Sequence, residues 1–130
     1  MSETEKIMIN LGLVDLGQVD LLVQEGFYSN RTAFIRTAIR NQLATHADEV
    51  RQTVARKTLV LGLEHYTRRD LGAVREAGET LEIRVLGLAS IDEDVSPELA
   101  RETISSLGVL GVLRASPAVK SALEDCIQSP

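Results

Sequence analysis

A four-residue apolar word recurs in three near copies in the second half of the 130-residue chain: Val60-Leu61-Gly62-Leu63, Val85-Leu86-Gly87-Leu88 and Val109-Leu110-Gly111-Val112, spaced 25 and then 24 residues apart. A unit of that period cannot bury its apolar face alone, so copies must stack on one another. A helix-start signal follows each word. After the first comes Thr67-Arg68-Arg69-Asp70, then Leu71 and Val74, with Gly78 as the stop. After the second comes Ser96-Pro97-Glu98-Leu99, with proline at the first helical position, then Ala100 and Ile104. After the third comes Ser116-Pro117, then Val119, Ala122 and Leu123. The pattern predicts a short apolar strand and a short helix, three times over. Strands of this kind run parallel and are joined by right-handed crossovers. A glycine at one fixed strand position marks a close backbone approach or a tight bend. Residues 58–130 are therefore expected to form a small three-repeat, solenoid-like α/β unit, with an ordinary three-stranded α/β layer as the alternative. Either would leave open end strands, so this unit is expected to serve assembly or partner binding. Deleting it should then reduce the oligomer size.

Residues 1–46 obey another period. Lys6, Ile7, Met8, Ile9, Asn10 and Leu11 alternate strictly. Such alternation places Ile7, Ile9 and Leu11 on one face of a strand and Lys6, Met8 and Asn10 on the other. Asp15 is expected to cap a first helix, with Gln18 completing a capping box. Leu16, Val19, Leu22 and Val23 follow at helical spacing, and Gly26 fits the stop. Ser29-Asn30 opens a second helix, with Ser29 as the expected cap. That helix carries Phe34, Ile35, Ala38, Ile39 and Leu43 on one side. Residues 47–57 read as a helical connector without glycine or proline. One strand alone cannot satisfy its backbone, and a segment this short cannot bury a good core unaided. The economical solution is a homodimer in which two strands pair antiparallel over four helices. Its core would be Ile7, Ile9, Leu11, Phe34, Ile35 and Ile39.

The segment EKIMINLGLVDLGQVDLLVQEGFYSNRTAFIRTAIRNQL, from Glu5 to Leu43, resembles the ribbon-helix-helix DNA-binding domain of the Arc/MetJ/CopG type. Its most specific part is YSNRTAFIRTAIR. The likeness covers about a third of the chain, and the extension beyond it is left unassigned. It implies a bacterial transcription regulator, a repressor, that binds double-stranded operator DNA as a homodimer or higher assembly. The ribbon would enter the major groove, where base pairs present distinct donor and acceptor patterns. The outward strand residues would then read bases. Lys6 suits guanine or a phosphate, Asn10 suits adenine, and Met8 offers only an apolar contact, a departure from the usual polar middle residue. The second helix start, at Ser29, Asn30, Arg31 and Thr32, would hold a phosphate, because free N–H groups there favour an anion. Arg31 can add a charge-assisted bond. The plainer roles are a solubilising Lys6, a helix-capping Ser29, and Arg36 and Arg40 on a solvated face. Phe34 is core, not a stacking residue.

Composition narrows the field. With 14 basic and 19 acidic residues the net charge is -5, so any nucleic-acid contact is a local patch. Residues 1–46 set Lys6, Arg31, Arg36 and Arg40 against Glu3, Glu5, Asp15, Asp20 and Glu25, so modest affinity per dimer and tandem sites are expected. Cys126 is alone, and His46 and His65 are the only histidines. Disulfide, zinc-cluster and nickel-responsive readings are therefore disfavoured, and no metal or cofactor is expected. Asp92-Glu93-Asp94 lacks the spacing of a calcium loop. No phosphate-binding glycine loop occurs, and no enzyme activity is expected. The longest apolar run, Leu107 to Leu113, is too short to span a bilayer. The opening MSETEK is polar, so no signal peptide is read and a cytoplasmic protein with no membrane contact is expected. Two alternatives remain open at this point: an antitoxin whose second half wraps a toxin, and a scaffold that dimerises by the ribbon and assembles through the repeats.

Overall fold

The computed structural model describes residues 4–128. The chain divides into two compact units, residues 1–51 and 52–130.

In the first unit, residues 4–12 form no strand within the single chain, and every one of them is exposed. The expected ribbon strand therefore has no ladder partner in one protomer. Helix α1 spans Leu13–Gln24 and helix α2 spans Arg31–Thr45. The capping expected from Asp15 does not occur: Gly12 is the N-cap and no side chain caps the helix. Asp15 lies at the third helical position, within the first turn, where its negative charge complements the positive helix end. The α1 stop falls where expected, with Gly26 at φ +87°, a conformation suited to glycine. At α2 the cap is Asn30 instead of Ser29. The Asn30 side-chain oxygen accepts from the Ala33 N–H at 2.8 Å. Asn30 is extended at φ −166° and ψ 175°, so its short side chain reaches back over the first turn. Helix α3 spans Ala47–Lys57 and carries Asp48 and Glu49 in its first turn and Arg56 and Lys57 in its last, matching the helix dipole at both ends.

The second unit holds a three-stranded parallel sheet in the order β1 (Val60–Tyr66), β2 (Leu81–Ile91), β3 (Ile104–Arg114). Helices α4 (Arg68–Glu76), α5 (Pro97–Thr103) and α6 (Pro117–Ala122) follow the strands in turn. The three apolar words lie side by side in register: Val60 with Val85 and Val109, Gly62 with Gly87 and Gly111. These glycines all have positive φ, at 142°, 139° and 115°. A Cβ at Gly87 would collide with the carbonyl oxygen of Gly62, and one at Gly111 with that of Gly87. Gly87 and Gly111 therefore need glycine because the preceding repeat's backbone fills the place of a side chain.

The three helix starts are built alike. The Thr67 hydroxyl accepts from the Asp70 N–H at 3.1 Å, and the Asp70 carboxylate accepts from the Thr67 N–H at 3.0 Å, closing a capping box. Those bonds hold the Asp70 carboxyl below the usual carboxylate range. Ser96 accepts from the Leu99 N–H at 3.1 Å, and Ser116 from the Val119 N–H at 3.2 Å. Leu71, Leu99, Ala100 and Val119 from the helices meet Ile83, Val85, Ala89, Ile91, Ile104 and Leu107 from the sheet in one core. Thr103 is fully buried yet satisfied, its hydroxyl donating to the Leu99 carbonyl at 2.7 Å. At the far end of the sheet, Ile127 bridges Leu107 and the Gln128 N–H donates to the Leu107 carbonyl at 2.9 Å.

Candidate nucleic-acid interface

The first unit has little interior of its own. Val19 is the only buried residue described in α1, and α2 has none. Ile7 is 72% exposed, Ile9 58% and Leu11 40%. Ile9, Leu11, Val19, Leu22, Phe34, Ile35 and Ile39 nevertheless converge on one apolar groove of about 410 Å³. The structure thus brings together five of the six residues expected to form a dimer core. Ile7 is not among those lining the groove. Phe34 is fixed by Tyr28, whose ring meets it edge-on at a centroid distance of 5.0 Å, which agrees with a packing role.

Lys6, Met8 and Asn10 are all exposed, Met8 to 88%. Ser29, Asn30, Arg31 and Thr32 are also exposed and sit together at the start of α2. The Asn30 cap satisfies the Ala33 amide. The amides of Arg31 and Thr32 belong to the first turn and have no acceptor one turn back in the helix, so they stay directed at the space before it. That is a suitable cradle for an anion.

Sequence reasoning missed one contact here. Arg31 Nε and Nη2 donate to the two carboxylate oxygens of Asp20 at 2.7 and 2.8 Å, a two-bond pair between α1 and α2. The guanidinium holds the Asp20 carboxyl below its ordinary range, and the carboxylate raises the Arg31 pKa in return. Arg31 was expected to bear on phosphate, and its charge is balanced here by Asp20. The residues lie eleven apart, beyond any local spacing rule, so only opposite charge hinted at the pair. Arg36 and Arg40 are exposed.

Among the described residues, no three His, Cys, Asp or Glu side chains gather as a metal site. No helix of the described residues is long and apolar enough to cross a membrane.

The family described as the ribbon-helix-helix transcriptional regulator family matches residues 2–120. The match goes well beyond the segment 5–43 that carried the resemblance. It takes in α3 and all three strands, so the repeat half is part of the family pattern and not an unassigned extension. No curated protein and no solved structure matches the chain.

Proposed function

We propose that this chain, which belongs to the ribbon-helix-helix transcriptional regulator family, is a cytoplasmic repressor that binds operator DNA as a homodimer and catalyses no reaction. In this reading two copies of the segment around Lys6–Leu11 pair antiparallel and enter the major groove. Lys6, Met8 and Asn10 meet base edges, and the start of α2 seats a backbone phosphate on each side. The observation that carries the proposal is the half-built interior of the first unit. Ile9, Leu11, Phe34, Ile35 and Ile39 line an open apolar groove in the single chain. A second copy laid across it would bury those side chains at about 25 cal/mol per Å² of apolar surface. The same step would pair the Lys6–Leu11 segment into a two-stranded ribbon.

Charge supports modest affinity for one dimer. The first unit carries no excess of basic residues, and Arg31 is paired with Asp20. Occupation of adjacent sites by several dimers fits this balance.

Salt titration of DNA binding tests the proposal. Phosphate contacts release counterions, so affinity for operator-containing DNA should fall steeply and linearly on logarithmic axes as salt rises. Genomic footprinting supplies the operator fragment. Absence of any salt-dependent binding, with the chain folded and dimeric, would overturn the DNA-binding role and leave the scaffold alternative.

A further inference from the structure

Strand β2 begins at Leu81, but β1 pairs with it only from Val85 on, where Val60 is the partner. The turn from α3 into β1 comes beside the unpaired start of β2, and Arg84 bonds to it. Turn and strand border an open cavity of about 510 Å³, within the size range of small-molecule sites. All of its lining falls in the second unit.

That turn carries a strained residue. Three helices end on the same pair of backbone bonds, a Schellman stop. At α1 the Gly26 N–H donates to the Val23 carbonyl and Phe27 to Leu22; at α4 Gly78 donates to Arg75 and Glu79 to Val74. At α3 the pair is Thr58 to Ala55 and Leu59 to Val54. Gly26 and Gly78 take positive φ without steric cost, whereas Thr58 stands at φ +55° with a branched side chain. Among the described residues it is the one non-glycine with positive φ. Strain of this kind gathers at ligand sites, and Thr58 lines the cavity. What threonine adds over glycine there is a hydroxyl.

The charges around it are left open. Arg84 donates through Nε to the Lys57 carbonyl at 2.9 Å, which ties the guanidinium to the end of α3 and leaves its Nη groups for other acceptors. Arg56, Lys57 and Glu82 share the cavity wall. Among the described residues no ion pair joins Glu82 to Arg56 or Arg84.

We infer that this cavity binds a small zwitterion of the α-amino acid class, its carboxylate toward Arg84, Arg56 and the Thr58 hydroxyl and its ammonium toward Glu82. Charges of both signs stand unpaired in one cavity, and each calls for a ligand group of the other sign. A purely anionic ligand would lie against Glu82 and the negative end of α3. A purely cationic one would lie against Arg56, Lys57 and Arg84. Val60, Val85 and the ring of half-buried Tyr66 offer an apolar wall for the ligand's side chain. Binding there needs neither the ribbon nor DNA, so the inference is independent of the function proposed above.

Titration calorimetry of the full-length chain, without DNA, tests this with the common α-amino acids as probes. The tightest binder is then compared with its amide, which lacks the carboxylate, and with its deaminated acid, which lacks the ammonium. Each analogue should bind about tenfold more weakly, the loss of one charge-assisted hydrogen bond. Glu82→Gln should leave the circular dichroism unchanged, weaken the amino acid about as much, and not weaken the deaminated acid. Thr58→Gly should raise the urea midpoint, by relieving the strained φ, and still weaken binding; a merely structural threonine would not give that combination. No binding by any of the amino acids, an analogue bound as tightly as its parent, or unchanged binding in both Glu82→Gln and Thr58→Gly would overturn the inference.

Discussion

Arg31, at the first position of α2, is clamped by both carboxylate oxygens of Asp20 on α1, at 2.7 and 2.8 Å. The pair spends on an intrachain contact the cation that stands beside the proposed phosphate cradle. Asp20→Asn should therefore free the guanidinium and strengthen DNA binding, steepening the salt dependence by about one per protomer. Arg31→Ala should weaken binding across all sequences. Fluorescence anisotropy from low to moderate salt distinguishes these outcomes, and an unchanged slope in both variants would remove Arg31 from the interface.

The same pair predicts a pH dependence. Asp20 titrates below its ordinary value because Arg31 donates to its charged form. Its stabilising contribution is thus present above the unfolded carboxylate pKa and is lost as pH falls through the lower folded value. Thermal unfolding of wild type and Asp20→Asn should differ at neutral pH, begin to converge below about pH 4, and coincide once pH has passed the lower folded value. A gap that persists there would mean the carboxylate charge is not what matters.

Gly87 and Gly111 face a neighbouring carbonyl, and Gly62, at the sheet edge, faces open space with the same sign of φ. Alanine at Gly62 should therefore cost only the backbone strain, about 1–3 kcal/mol. Alanine at Gly87 or Gly111 adds the steric clash, for about 3–5 kcal/mol in all. Urea unfolding of the three variants gives the comparison. Equal losses at all three positions would show that the close approach is immaterial.

Ser96 and Ser116 hold equivalent caps. Replacing either with alanine should destabilise the chain by about 1 kcal/mol, measured as a shift of the urea midpoint without a change of slope. Ser29→Ala should cost much less, since Asn30 caps α2.

On the DNA side, Lys6→Ala and Asn10→Ala should each weaken operator binding by about 1–3 kcal/mol if they make good base contacts. Nonspecific binding should change little for Asn10→Ala. Operator affinity equal to wild type in both variants would disprove the base-reading assignment.

The repeat half was readable because its signals are local and were written three times. Thr67, Ser96 and Ser116 each cap through an amide three residues on, and the glycine column follows from aligning three near-identical words. Near the N-terminus the same rules slipped by a residue or more. The first helix begins after Gly12, three residues before Asp15, and Asn30, not its neighbour Ser29, caps the second. The clamp between Asp20 and Arg31 has no local spacing to announce it. Nor does alternation reveal which face of an all-apolar strand the helices will cover.

The amino-acid sequence alone determined the strand-and-helix order, the glycine positions and the apolar faces, because each depends on chemistry within a few residues along the chain. Tertiary structure decided which charges meet, and that Leu61, Leu63 and Leu110 stay exposed in the single chain. Those outcomes depend on how whole elements dock, and distant residues become neighbours only once they have.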